Sequence, residues 1–232
     1  MAIDVRAADG AATRTVERAL ALLSEVCAHD ELTLTEAARA TGLPASTALR
    51  LLRTLEATGF VERDDAGWYY PGARILQIGA SALGRNALVR LAEPTLDRIV
   101  AATGESVYLS VRGPHDTAVY LVMAEGTHSV RHTSWAGRTV PLDGLAVGRA
   151  LRGEVPPGGF VTQRDRLEPD VTAICAPIRR LGGVVGAISI LGPTYRLDDD
   201  RIARYGAILS RETTDLGALL GVPHHTGQEI GS

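Results

Sequence analysis

The chain has 232 residues, 45% of them apolar and 22% charged, with a formal net charge of −3 at pH 7. That length fits one large or two modest domains of an ordinary globular protein. No apolar run approaches the roughly 20 residues of a membrane span, and two cysteines are too few for a disulfide framework. All 24 basic residues are arginine, and residues 1–85 hold 9 Arg against 11 Asp plus Glu. Totals give a nucleic-acid partner no support, so any DNA-binding argument rests on where the arginines sit.

Residues 1–12 have no helical period and lack the charged-then-apolar pattern of a signal peptide, which reads as a loose tail on a cytoplasmic protein. From Thr13, the residues Val16, Leu20, Leu23 and Val26 or Cys27 recur at helical spacing and predict a helix to about Ala28. Thr33-x-x-Glu36 predicts a capping box and Gly42 a stop, giving a short helix over 35–41. Pro44 suits the first turn of a third helix, and Gly59 suits its C-terminal cap. "FVERDDAGWYY" reads as a strand, a turn at Asp64 to Gly67, and a second strand. Three helices and a hairpin make residues 13–72 a winged helix-turn-helix.

Wrapped at about 100° per residue, Ser46, Thr47, Arg50, Arg53, Thr54 and Ala57 share an arc of about 120° on the third helix. Ala45, Ala48, Leu49, Leu51, Leu52 and Leu55 fill the rest, so the leucines are expected to bury against the first two helices. Arginine binds guanine O6 and N7 with two hydrogen bonds, and hydroxyls contact bases or phosphates. Ser46, Thr47, Arg50 and Arg53 are therefore candidates to read double-stranded DNA, with Thr35 and Arg63 as phosphate contacts. Arg63 reads equally as a surface charge beside Asp64 and Asp65.

Residues 71–104 look helical, with breaks or kinks expected at Gly84 and Pro94, and 73–84 reads as a linker helix. From Glu105 the texture changes. "ESVYLSVRG", "TAVYLVMAEG" and "HSVRHTSWAGRTVP" predict three strands, "LDGLAVGRALRG" a short helix, and "TAICAPIRRLGGVVGAISILGP" a hairpin around Gly182-Gly183. An amphipathic helix follows over about 198–220, and 222–232 reads as a tail. The expected class is α+β, with 85–221 an antiparallel sheet flanked by helices.

In this order, "TRTVERALALLSEV", "LTLTEAARATGLPASTALRLLRTLEATGFVER", "VPLDGLAVGRAL" and "AICAPIRRLGGVVGAISILGPTYRL" resemble the IclR family of bacterial transcriptional regulators, over residues 13 to about 221. The resemblance implies a GAF-like α/β ligand-binding and oligomerisation domain after the winged helix and linker. It also implies a homodimer, or a tetramer built as a dimer of dimers, on palindromic operators. Asp143-Gly144, Gly148-Arg149, Gln163-Arg164 and Asp170 depart from the family's usual residues at their places. The stretch between Arg152 and Phe160 is also short beside typical members.

Ligand-contacting positions in the family map onto His132, Val140, Ala146, Val147, Cys175 or Ala176, Ser189 and Leu191. Such a lining suits a small organic acid with an apolar body, held at its carboxylate by the Ala146 and Val147 amides and by His132. Cys175, on an apolar strand, reads as an inert thiol rather than a nucleophile. His128 and His132 are too far apart on one strand face for a metal site, and His224 and His225 fall in the tail. No metal, cofactor or catalytic motif is expected. The function read from sequence is a ligand-responsive transcription factor. Against it stand a DNA-binding protein whose second domain merely oligomerises, and an enzyme in that domain.

Overall fold

The computed structural model describes residues 10–132 and 135–221. The expected tails fall largely outside them, at 1–9 and 222–232, the latter with His224 and His225. The chain divides into two compact units between Leu83 and Gly84.

In the first unit α1 (Gly10–Ala28) begins three residues before the predicted start at Thr13. Its core face is Leu22, Leu23 and Val26, whereas Val16 and Leu20, expected in the stripe, are more than half exposed. Helix α2 (Leu34–Ala40) starts at the capping box: the Glu36 N–H donates to Thr33 Oγ1 at 3.3 Å, and the Thr33 N–H donates to Glu36 Oε2 at 2.9 Å. The Thr33 hydroxyl also donates to Glu36 Oε2 at 2.6 Å, and this bond, then that from the Thr33 amide, holds the Glu36 carboxyl below its ordinary range. Gly42 takes a φ of +64°, which ends the helix and turns the chain into α3 (Ala45–Ala57). Strands β1 (Val61–Arg63) and β2 (Tyr69–Pro71) pair antiparallel as the wing, and Leu32 bridges to Tyr69. Ala48, Leu51 and Leu52 of α3 bury against Leu22, Val26, Ala37 and Val61. The unit continues into α4 (Ala73–Arg85), which buries no residue.

The helical stretch breaks at Asn86, two residues past the expected Gly84, because Asn86 caps α5 (Ala87–Thr103) by accepting from the Leu88 and Val89 amides. Helix α5 runs on through Pro94. Proline inside a helix costs about 3 kcal/mol, and here seven buried residues from Val89 to Thr103 bind the helix down and offset that loss.

The second unit is a six-stranded antiparallel sheet in the order β5-β4-β3-β8-β7-β6. Its strands are β3 (Ser106–Gly113), β4 (Thr117–Ala124), β5 (Thr139–Pro141), β6 (Val161–Arg164), β7 (Val171–Arg180) and β8 (Gly183–Pro193). Two corrections to the sequence reading lie here. The expected third strand over 128–141 shrinks to β5, because a turn closed by the Arg138 N–H on the Trp135 carbonyl bends the chain and sends His132 and Trp135 inward. Thr133 and Ser134 of that stretch lie outside the described residues. Strand β6, which was not expected, adds an edge beside β7.

Helices α5 and α7 (Asp199–Gly221) cover one face of this sheet, and α6 (Ala146–Arg152) covers the other. Arg98 donates to Glu212 at 2.8 and 3.0 Å to join α5 to α7. A Cβ at Gly148 would collide with the Leu142 carbonyl, so glycine there lets α6 lie close to the chain leading into it. No helix among the described residues is long and apolar enough to cross a membrane.

Glu105 has no solvent exposure at all. Its carboxylate accepts two bonds from Arg196 at 2.5 and 2.8 Å, and Arg196 also donates to the Val130 carbonyl at 2.9 Å. One ion pair thus ties the start of β3, the single helical turn at Thr194–Arg196 and the loop before His132. Removing one partner of a buried pair typically costs about 3–5 kcal/mol. Arg196→Met is expected to lose stability in that range. The measurement is the urea midpoint of the second unit, followed by Trp135 fluorescence in a Trp68→Phe background.

Candidate functional site

In the first unit the outward face of α3 is a shallow depression lined by Ser46, Leu49, Arg50, Arg53, Thr54, Ala57 and Thr58. Arg50, Arg53 and Ser46 are exposed and Thr47 is half-buried. Leu49, expected among the buried leucines, lies on this face because its angular position adjoins Arg53. Among the described residues neither arginine makes a salt bridge or a side-chain hydrogen bond, so both guanidiniums are available to an anion or a base edge. Pro44 stands at the N-cap of α3 and supplies no side-chain cap, which leaves first-turn amides near Ser46 open to a phosphate. Thr35 is exposed at the start of α2. The Arg63 guanidinium rests over the Tyr69 ring at 5.5 Å, placed by packing on the wing rather than by Asp64 or Asp65.

The second unit holds a small cavity between the sheet and α6, of about 30 Å³, room for roughly two water molecules. Of the residues expected to line a ligand site, Ala146, Val147, Cys175 and Leu191 do so. Ser189 lies buried beside Cys175, whose thiol donates to its hydroxyl at 3.2 Å. Val140 is buried in the same cluster, opposite Ala118. Ala176 follows Cys175 in an extended strand and so turns to the opposite face, and of the two it is Cys175 that lines the cavity.

His132 stands at the cavity's edge. Its Nε2 lies 3.0 Å from Glu168 Oε2 and its Nδ1 2.7 Å from the Tyr108 hydroxyl. A carboxylate only accepts, so Nε2 carries the proton, and in the neutral ring Nδ1 accepts from Tyr108. Burial pushes the Tyr108 phenol well above its ordinary range, against an opposing bond from the Trp135 backbone, and burial does the same to Tyr120. Both remain neutral hydroxyls at physiological pH.

The sequence reading missed Tyr120, Trp135, Gln163, Arg166 and Glu168, all in the lining. Trp135 carried a visible signal as one of two tryptophans in the chain. Gln163, Arg166 and Glu168 come from an edge strand and its following loop that periodicity does not reveal, and Tyr120 lies on β4, an expected strand whose cavity-facing side the sequence reading did not single out. Gln163 changes the expected chemistry: its Oε1 accepts from the Ala146 N–H at 2.9 Å, and its Nε2 donates to the Gly144 carbonyl at 2.6 Å. The Ala146 amide is thus already engaged. Arg166 reaches the cavity and has no ion-pair partner among the described residues. No group of three or more metal-ligating side chains occurs among the described residues.

Residues 15–65 match the model of the IclR helix-turn-helix domain, and residues 80–157 match that of the bacterial transcriptional regulator IclR C-terminal domain. The chain is 30% identical to the HTH-type transcriptional regulator BhcR of Paracoccus denitrificans, over 85% of this chain and 84% of that protein. It is 26% identical to the HTH-type transcriptional repressor AllR of Escherichia coli, over 79% and 81%. Among solved structures, an IclR transcriptional regulator from Alicyclobacillus acidocaldarius superposes with a TM-score of 0.78 at 23% identity, covering 90% of this chain and 99% of that one. An IclR homolog from Microbacterium hydrocarbonoxydans, complexed with 4-hydroxybenzoate, superposes with a TM-score of 0.68 at 21% identity, covering 88% and 98%.

Burial pushes the Cys175 thiol up to about 12, with the Ser189 hydroxyl pulling weakly the other way. The group is therefore protonated at neutral pH and sealed from reagents, whereas Cys27 is exposed. Iodoacetamide at pH 8 is expected to label Cys27 alone in the native protein and both cysteines in urea, as read by peptide mass spectrometry. Rapid native labelling of Cys175 would show an open, reactive site instead.

Proposed function

We propose that this chain, which belongs to the IclR family of bacterial transcriptional regulators, couples operator binding through α3 to occupation of the sheet cavity by a small organic acid. Transcriptional regulation through a DNA-binding helix-turn-helix and an IclR effector domain is the function that this membership carries. The observation that carries the DNA half of the reading is Arg50 and Arg53, unpaired among the described residues, beside Ser46 on the outward face of α3. These types read guanine edges and phosphates, and a two-fold dimer would present two such helices to a palindromic operator.

The ligand half is supported by a mostly apolar cavity wall, with Trp135, Leu191 and Val147, at whose rim stands Arg166, exposed and without an ion-pair partner among the described residues. Arg166, with its flat two-pronged fork, suits a carboxylate. Because the Ala146 amide is engaged by Gln163, the acid's anchor moves from the start of α6 to Arg166 and His132. A homologue of the same fold complexed with 4-hydroxybenzoate agrees with an acid on an aromatic body. The acid would bind two arrangements of the protein unequally and so shift operator affinity.

Selection from a random DNA library should return a palindromic or pseudo-palindromic site. On that site Arg50→Ala and Arg53→Ala should each weaken binding by about 1–3 kcal/mol if the side chain reads a base. Wild-type affinity in both variants would remove α3 from DNA reading. Ala146→Leu should fill the cavity and abolish the response to aliphatic and aromatic carboxylates, with DNA binding kept. If titration calorimetry finds binders that are all phosphorylated or cationic, the cavity is not an organic-acid site.

A further inference from the structure

Glu168 faces two spaces at once. It lines the inner cavity, and it also lines an open groove of about 330 Å³ on the protein surface with Val130, His132, Pro193 and Tyr195. The contact of Glu168 with His132, at 3.0 Å, stands between the two. The His132 side chain is 2% exposed and that of Glu168 43%. A hidden imidazole is thus met by a carboxylate that reaches in from solvent.

The loop that carries Glu168 is pinned at both ends. Asp165 and Asp170 adopt φ values of +52° and +58°, a left-handed conformation that aspartate tolerates. Thr194 holds both: its hydroxyl donates to Asp165 Oδ1 at 3.1 Å, and its N–H donates to the Asp170 carbonyl at 2.7 Å. Across the span between, Arg166 to Pro169, the bond from Glu168 to His132 is the one side-chain hydrogen bond among the described residues. These four residues form a flap with fixed hinges and a single, partly solvated latch, a hydrogen bond that water can replace at small net cost.

We propose that Glu168 is a built-in carboxylate that occupies the acid-binding position beside His132 and keeps the cavity closed until an effector's carboxylate displaces it. The proposal rests on the organic-acid reading of the cavity. Exchange of one carboxylate for another on the same Nε2–H leaves both the hydrogen bond and the local charge unchanged. The two cannot stay together, because like charges at one imidazole repel. The apolar body of the incoming acid then decides the outcome, by burying against Trp135 and Leu191. A cavity that holds about two waters when latched gains room when Glu168 swings toward the groove. Glu168 therefore sets a threshold: an acid must bring enough apolar surface to win the exchange, so butyrate should compete less well than benzoate.

The test is titration calorimetry of benzoate and butyrate into the full chain and its Glu168→Ala and Glu168→Gln variants, with circular dichroism to check the fold. Glu168→Ala should bind benzoate about tenfold tighter than wild type, the factor for a latch closed about nine-tenths of the time. Glu168→Gln, which keeps length and an acceptor without the charge, should fall between. In wild type, benzoate should raise hydrogen exchange of the amides in 166–170, the reverse of the protection that a simply covered ligand gives. Equal benzoate affinity in wild type and Glu168→Ala, with 166–170 protected on binding, would overturn the latch and leave the cavity reading standing. Binding of neither acid to any of the three proteins would overturn both.

Discussion

The pleat of β7 and β8 is the constraint on which the second unit depends. Successive side chains must go to opposite faces, and the sequence loads the two faces unequally. Ile174 and Ile178 on β7, with Ile188 and Ile190 on β8, face α5 and α7 and are wholly buried. The alternating positions hold Ala173, Cys175, Ala187 and Ser189, and these face α6. Large branched side chains fill one layer to the density of a core. Small ones leave the other layer short of volume, and the cavity is that shortfall. A shift of register by one residue would exchange the faces and close it. The turn at Gly182 and Gly183, with φ of +100° and +132°, together with the irregularity between Ile178 and Arg179, sets that register.

The first unit applies the same logic to a helix. Ala48, Leu51 and Leu52 lock α3 onto its neighbours, which forces Ser46, Arg50 and Arg53 outward. A net charge of −3 does not oppose DNA binding by such a surface, because salt screens exposed charges farther apart than about 8–10 Å. In the proposed reading the arginines on α3 meet DNA at contact distance, and the acidic residues elsewhere in the chain do not.

Elements set by local rules were legible in the sequence. Thr33 with Glu36, Gly42 and Pro44 bracket α2 and α3, and Gly182-Gly183 mark the central hairpin. What escaped depends on distant partners. Strand β6 is short and is held by pairing to β7. The loop carrying His132 and Trp135 reads as a strand because its residues favour one, yet the turn at 135–138 bends it into the core. Pro94 signals a break that packing of α5 on the sheet overrides. Most of the cavity lining escaped because it is assembled only by the fold: Gln163, Arg166 and Glu168 come from β6 and its following loop, and Tyr120 joins them from β4. Ala176 was interchangeable with Cys175 until the pleat separated them.

In the proposed function, one chain carries two binding sites whose free energies are coupled. Linkage makes the claim exact in form: if an acid changes operator affinity by some factor, the operator must change acid affinity by the same factor. The direct measurement is fluorescence anisotropy of the selected operator across a benzoate titration, set beside calorimetry of benzoate with and without saturating operator. Equal factors are expected from the two arms, of about fivefold or more, within the usual range of allosteric coupling. Benzoate binding that leaves operator affinity unchanged would contradict that coupling.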